Sequence, residues 1–122
     1  MEEKYFYDTY ALLEIFKISP SYVKYSNIKV ITTYFQLFEL YYNLRKIYSH
    51  DEIAEYFDSI KTQCVSLSFS WIKEATEFRQ KEKKRNLSYA DCIGYIASKN
   101  LGVKFLTGDM QFKDMPNVEF VK

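Results

Sequence analysis

Four carboxylates in this sequence stand where ordinary solvent exposure does not explain them: Asp8 after the aromatic run Tyr5 to Tyr7, Glu39 inside a segment apolar on almost every side, Asp91 in "LSYADCIGYIA", and Asp109 after "FLTG". Carboxylates gathered in one place repel and raise one another's pKa unless a cation neutralises them. The natural resolution is a hard divalent ion with oxygen ligands. Mg²⁺ or Mn²⁺ takes a few carboxylates plus waters and suits phosphate substrates, whereas zinc looks for more imidazole and thiol than one histidine and two cysteines offer.

Each acid also has a plain structural reading. Asp8 precedes "TYALLEIF" and fits a helix N-cap. Asp91 lies three residues after Ser88, the spacing of a capping box. Asp109 follows Gly108 and fits an ordinary turn acid. Glu39 could face solvent on an otherwise apolar helix. The signal lies in the set, because caps alone do not put acids at two strand ends and on two helices aimed at one end of a sheet.

Those strands and helices follow from the hydrophobic pattern. "KYFYD" (Lys4 to Asp8) predicts a strand and Thr9 to Phe16 a helix, with Pro20 in the first turn of a short second helix capped by Ser19. Ile28 to Thr32 predicts the second strand. From Thr33 to Tyr48 the segment predicts a helix with apolar residues on nearly every face, one side for the sheet and the other for a second subunit or partner. Asp51 to Ile60 predicts a helix, Cys64 to Ser68 a third strand, Phe69 to Lys84 and Ser88 to Lys99 further helices. Val103 to Leu106 and Val118 to Val121 complete a set of five strands. Strands alternating with helices predict a three-layer α/β/α fold with a central, mostly parallel five-stranded sheet. Such sheets bind ligands at the carboxyl ends of their strands, where Asp8 and Asp109 stand.

Composition bounds the rest. The 122 residues make one domain, residues 1–122, with 48% hydrophobic content for its core. Lys and Arg number 17 against 16 Asp and Glu, so attraction to nucleic acid has to come from a local patch. Arg79, Lys81, Lys83, Lys84 and Arg85 in "EFRQKEKKRN" form one, equally readable as a charged helix end. His50 sits beside Ser49, Asp51 and Glu52 and reads as a helix start, which leaves no imidazole for a two-histidine nuclease. Most of the aromatic residues fall at core spacing. No run is long and apolar enough for a membrane span, and Cys64 and Cys92 form no CxxC pair, so a reducing cytoplasm is the expected location.

Taken in order, these motifs resemble the PIN domain family, and within it the small VapC-type toxins. "YFYDTYALLE" looks like the opening strand with its Asp-Thr pair, Asp8 and Thr9. "ITTYFQLFELYYNL" is similar to the helix carrying an acid followed by Leu, here Glu39. "LSYADCIGYIASKNLGVKFLTGDMQF" resembles the segment with the third and fourth acids, Asp91 and Asp109, with Thr107 as the hydroxyl residue before the last, and "MPNVEFV" looks like the closing loop and strand. The resemblance spans essentially the whole chain. Two positions depart from it: Tyr10 stands where the family often has Asn, and Gln111 where it often has a further Asp.

The resemblance implies a Mg²⁺- or Mn²⁺-dependent endoribonuclease, the toxin of a toxin–antitoxin pair. Asp8, Asp91 and Asp109 would be the main metal ligands, Glu39 a ligand or water-orienting group, and Thr107 and Thr9 their hydrogen-bonding supports. It also implies a homodimer and a small antitoxin protein as partners beside the RNA substrate. A PIN nuclease of RNA processing and a non-catalytic PIN-like protein-binding module are the alternatives. A receiver-like phosphoacceptor domain is more distant, since it wants paired acids after the first strand and a Lys where this chain has Asp109.

Overall fold

In the computed structural model, which describes residues 3–61 and 63–122, the strands β1 (Tyr5–Tyr7), β2 (Val30–Ile31), β3 (Lys104–Thr107) and β4 (Val118–Phe120) form one sheet in the order β2-β1-β3-β4. Every pairing is parallel, with Phe6 opposite Ile31 on one side and Phe105 on the other. Side chains alternate across the sheet. Tyr5, Tyr7 and Leu106 therefore enter one core and Phe6 and Phe105 the other. Helices α1 (Thr9–Phe16), α2 (Tyr34–Leu44) and α3 (His50–Lys61) build the first core with Leu12, Leu40, Leu44 and Ile53, together with a 3₁₀ helix at Pro20–Tyr25. Helices α4 (Phe69–Lys81) and α5 (Tyr89–Leu101) build the second with Ala75, Tyr95 and Ile96.

The predicted five-stranded sheet is corrected to four. Cys64 to Ser68 contributes a single parallel bridge, Thr32 to Cys64, and one backbone bond from the Val65 amide to the Thr32 carbonyl at 2.9 Å. The cause lies in its neighbour. β2 ends at Ile31 because Thr33 is already the N-cap of α2, its hydroxyl accepting from the Phe35 amide, and the Val30 amide is taken by the Gln63 side chain at 2.7 Å. Little backbone remains for an edge strand to pair with.

The helix ends follow local chemistry. Ser49 and Glu52 form a reciprocal cap, so His50 opens α3 as expected, its Nδ1 bonded to the Tyr41 hydroxyl. α5 starts on a complete capping box, Ser88 with Asp91, and ends on Gly102 at φ 70°, where a Cβ would be strained. Close approach of α5 to the sheet and to α2 depends on Gly94. A Cβ there would stand 2.6 Å from Gln36 Nε2 and 2.9 Å from a Phe6 ring carbon. Gln36 is fully buried and donates from that Nε2 to the Ala90 carbonyl at 2.6 Å, tying α2 to α5.

Among the described residues no helix is long and apolar enough to cross a membrane. Both cysteines are free, and burial pushes the Cys92 thiol up to about 11, so it stays protonated and unreactive at neutral pH.

Candidate functional site

Because all four strands run the same way, the chain leaves β1 and β3 at the same edge of the sheet. Asp8 follows β1 directly and Asp109 follows β3 by one residue. Glu39 lies mid-way along α2 and Asp91 in the first turn of α5, whose N-terminus opens on that edge. All four carboxylates line one cleft, with Thr9, Tyr10, Leu13, Asn43, Asn86 and Ser88.

Asp8 is almost completely buried, 2% exposed. Its Oδ2 accepts a hydrogen bond from the Thr107 hydroxyl at 2.7 Å, while its Oδ1 is buried with no partner. It occupies the N-cap position of α1 without making a side-chain cap bond, so the plain reading of Asp8 as a cap does not describe it. The same Thr107 oxygen accepts from the Asp109 backbone amide at 3.1 Å. One hydroxyl thus links the ends of the two central strands. Thr9, the other support implied by the resemblance, buries a hydroxyl that has no partner.

Asp91 and Asp109 combine both of their readings. Asp91 Oδ2 accepts from the Ser88 amide at 2.9 Å, and Asp109 Oδ1 accepts from the Gln111 amide at 2.9 Å as cap of a 3₁₀ helix at Met110–Phe112. Each cap fixes a carboxylate that also faces the cleft. Glu39 is half-buried at the same cleft.

The electrostatics show the strain of this gathering. Burial first, and then the charge of Asp91, holds the Asp8 carboxyl well above the ordinary carboxylate range, with the Thr107 hydroxyl offsetting part. Burial, with the charges of Glu39 and Asp109 adding, pushes Asp91 up to about 6 against the bonds from Ser88. No three His, Cys, Asp or Glu side chains among the described residues stand close enough to grip an ion as they are. The groups nevertheless fit a hard cation held partly through water. All donors are oxygen, the acids destabilise one another when ionised, and Asp8 Oδ1 is a buried acceptor with unused lone pairs at the cleft.

The basic segment divides. Arg85 is committed to structure, donating to the Gln111 carbonyl at 2.7 Å and pairing with Glu82 and Asp114. Arg79 donates to the Leu87 carbonyl at 3.1 Å and lies over the Tyr89 ring. Lys81, Lys83 and Lys84 extend from the same segment, and all three are exposed. Sequence reasoning missed Asn43, Asn86, Leu13 and Ser88 as cleft residues. A readable signal existed for Asn43, four residues after Glu39 and hence on the same helix face. None exists for Asn86, which reaches the cleft from a left-handed turn at φ 54°.

No protein-family model matches the chain, and no curated protein matches it by sequence. Solved structures do match in fold. A chain of a toxin–antitoxin complex from Klebsiella pneumoniae is similar at TM-score 0.75 and 15% identity, over 96% of either chain. The crystal structure of VapBC2 from Rickettsia felis, bound to a DNA fragment from their promoter, contains a chain similar at TM-score 0.71 and 18% identity, over 97% of this chain and 98% of that one. PAE2754 from Pyrobaculum aerophilum gives TM-score 0.68 and 12% identity over 98% and 92%. The three likenesses establish a common fold along nearly the full length.

Proposed function

We propose that this protein is a metal-dependent endoribonuclease of the PIN type, acting as the toxin of a toxin–antitoxin pair. The observation that carries the reading is the convergence of Asp8, Glu39, Asp91 and Asp109, drawn from four separate elements, on one cleft where a buried carboxylate oxygen lacks a partner. The toxin role rests on the fold shared with the Klebsiella pneumoniae complex and with VapBC2.

In this reading Asp8, Asp91 and Asp109 hold Mg²⁺ or Mn²⁺, directly or through water, and Glu39 ligates or orients a water. Bound there, the ion supplies neutralising charge, polarises a phosphate and lowers the pKa of a bound water. The protein's own part is positioning. Thr107 turns Asp8, Ser88 holds Asp91 and the Gln111 amide holds Asp109, so the carboxylates are set before substrate arrives. Lys81, Lys83 and Lys84 grip RNA phosphates outside the acidic cleft. His50 stands on the exposed start of α3 against Tyr41 and takes no part.

The partners implied are a second copy of the chain and an antitoxin. α2 buries Leu37, Leu40 and Leu44 against the core and leaves Tyr34, Phe38 and Tyr42 largely exposed, an aromatic face that a partner protein would cover. That face is also what favours the second reading, a PIN-like module that only binds protein.

The deciding experiment incubates the purified protein with a panel of single-stranded and hairpin RNAs, with Mn²⁺ or Mg²⁺ against EDTA, beside Asp91→Asn. Cleavage that requires metal and is lost in the variant supports the nuclease. Equal background in both proteins, with no metal bound by titration calorimetry, favours the binding module.

A further inference from the structure

An acidic cleft repels the polyanion it is meant to cut, so part of the substrate's grip has to come from groups that carry no charge. One wall of the cleft is of that kind. Tyr10 and Leu13, one turn apart on α1, line it together with the carboxylates. The Tyr10 ring is held rigidly. It lies so close to the backbone at Gly108 that a Cβ there would collide with two of its ring carbons and with the Val121 carbonyl oxygen. Tyr22 backs it with ring centroids 6.3 Å apart. The ring is nonetheless only half-buried, and Tyr10 lines the cleft together with Asp8 and Asp109.

A fixed, partly open aromatic ring next to a phosphate-directed site has a specific use. Nucleobases stack on such rings with little regard to sequence, each contact contributing about 1–3 kcal/mol. The amides of Asn43 and Asn86 line the same cleft and offer donors and acceptors to a base edge. Gly108 completes the arrangement, since any larger residue would push the ring out of place or lift the loop that carries Asp109.

We propose that Tyr10 is the stacking platform for an unpaired nucleobase adjoining the phosphate presented to the carboxylates. This rests on the nuclease reading. In duplex RNA both faces of each base are covered by neighbours, and the platform has nothing to hold.

The test uses the cleavage-deficient Asp91→Asn protein and single-stranded oligoribonucleotides carrying 2-aminopurine at successive positions. Stacking on Tyr10 quenches fluorescence at one position. Tyr10→Leu in that background is expected to weaken binding about tenfold and to abolish the position-specific quench. Tyr10→Phe keeps both, because the ring rather than the hydroxyl is used. In the active protein Tyr10→Leu raises KM more than it lowers kcat. If Tyr10→Leu misfolds, quenching at a single position both with Tyr10 in place and in the Tyr10→Phe variant still supports the platform, and uniform fluorescence in both overturns it. RNA binding that ignores Tyr10→Leu overturns the platform alone, whereas absence of RNA binding with Tyr10 in place overturns the nuclease reading as well.

Discussion

Asp8 gives up stability to hold its position. Its folded carboxyl, like that of Asp91, has a pKa raised above the unfolded value of about 4. The folded state therefore binds more protons than the unfolded one across the interval from about pH 4 to about 6 for Asp91, and stability contributed by the protonated form is lost as pH rises through it. The metal-free protein should accordingly melt lower at pH 7 than at pH 5. Asp8→Asn, which can still accept from Thr107, should raise the metal-free stability at pH 7 by about 1 kcal/mol, a shift of roughly 4 °C, and abolish cleavage. Near pH 4 the two proteins should differ little. A calorimetric pH series in EDTA reads the stability outcomes and the RNA assay the loss of cleavage, and an Asp8→Asn protein less stable at every pH would contradict the argument. Thr107→Val should cost about 1–3 kcal/mol in denaturant unfolding, because Asp8 Oδ2 and the Asp109 amide lose their shared partner, while Thr107→Ser stays close to wild type. At this scale the sequence was legible in an unexpected way. For Asp91 and Asp109 the capping reading and the placement at one cleft hold together, since the backbone amides that caps satisfy are what hold those acids there.

Elements that bury one face were readable to within a few residues. α1 was expected over Thr9 to Phe16 and is found there, and α5 begins one residue after its predicted Ser88. The Thr33 to Tyr48 helix stops at Leu44, and the predicted helix to Lys84 stops at Lys81 with a 3₁₀ turn at Lys83–Arg85 following. The missing fifth strand was not readable, because "CVSLS" has strand character of its own and its failure to pair is decided by Gln63 and Thr33, residues outside it. Gly94 was equally silent, its importance lying in what stands across from it. Helix propensity alone favours Gly94→Ala by about 1 kcal/mol, but overpacking a filled core costs about 1–3 kcal/mol. Phe6 and Phe105 are fully buried and Gln36 is fixed by its bond to Ala90, so none can retreat. Net destabilisation is expected for Ala and a larger one for Ser, both measurable as a lowered urea midpoint.

For the molecule as a whole, the distribution of exposed aromatics is the quantity to test. Phe38 is 76% exposed and Tyr42 64%, on the helix that also carries Glu39. If a second copy covers this face, wild-type protein sediments as a dimer and Phe38→Lys with Tyr42→Lys as a monomer, with the thermal transition of the isolated chain little changed. A monomeric wild type would leave the face for a different protein.

The Thr107 hydroxyl has a consequence in time as well as in space. It joins an acid near the start of the chain to an amide close to its end, across strands whose pairing spans about a hundred residues of sequence. A chain emerging during synthesis carries Asp8, Glu39 and Asp91 early but has no site to place them in until β3 slides in beside β1. The four carboxylates can therefore come together only once the chain has been made as far as Asp109.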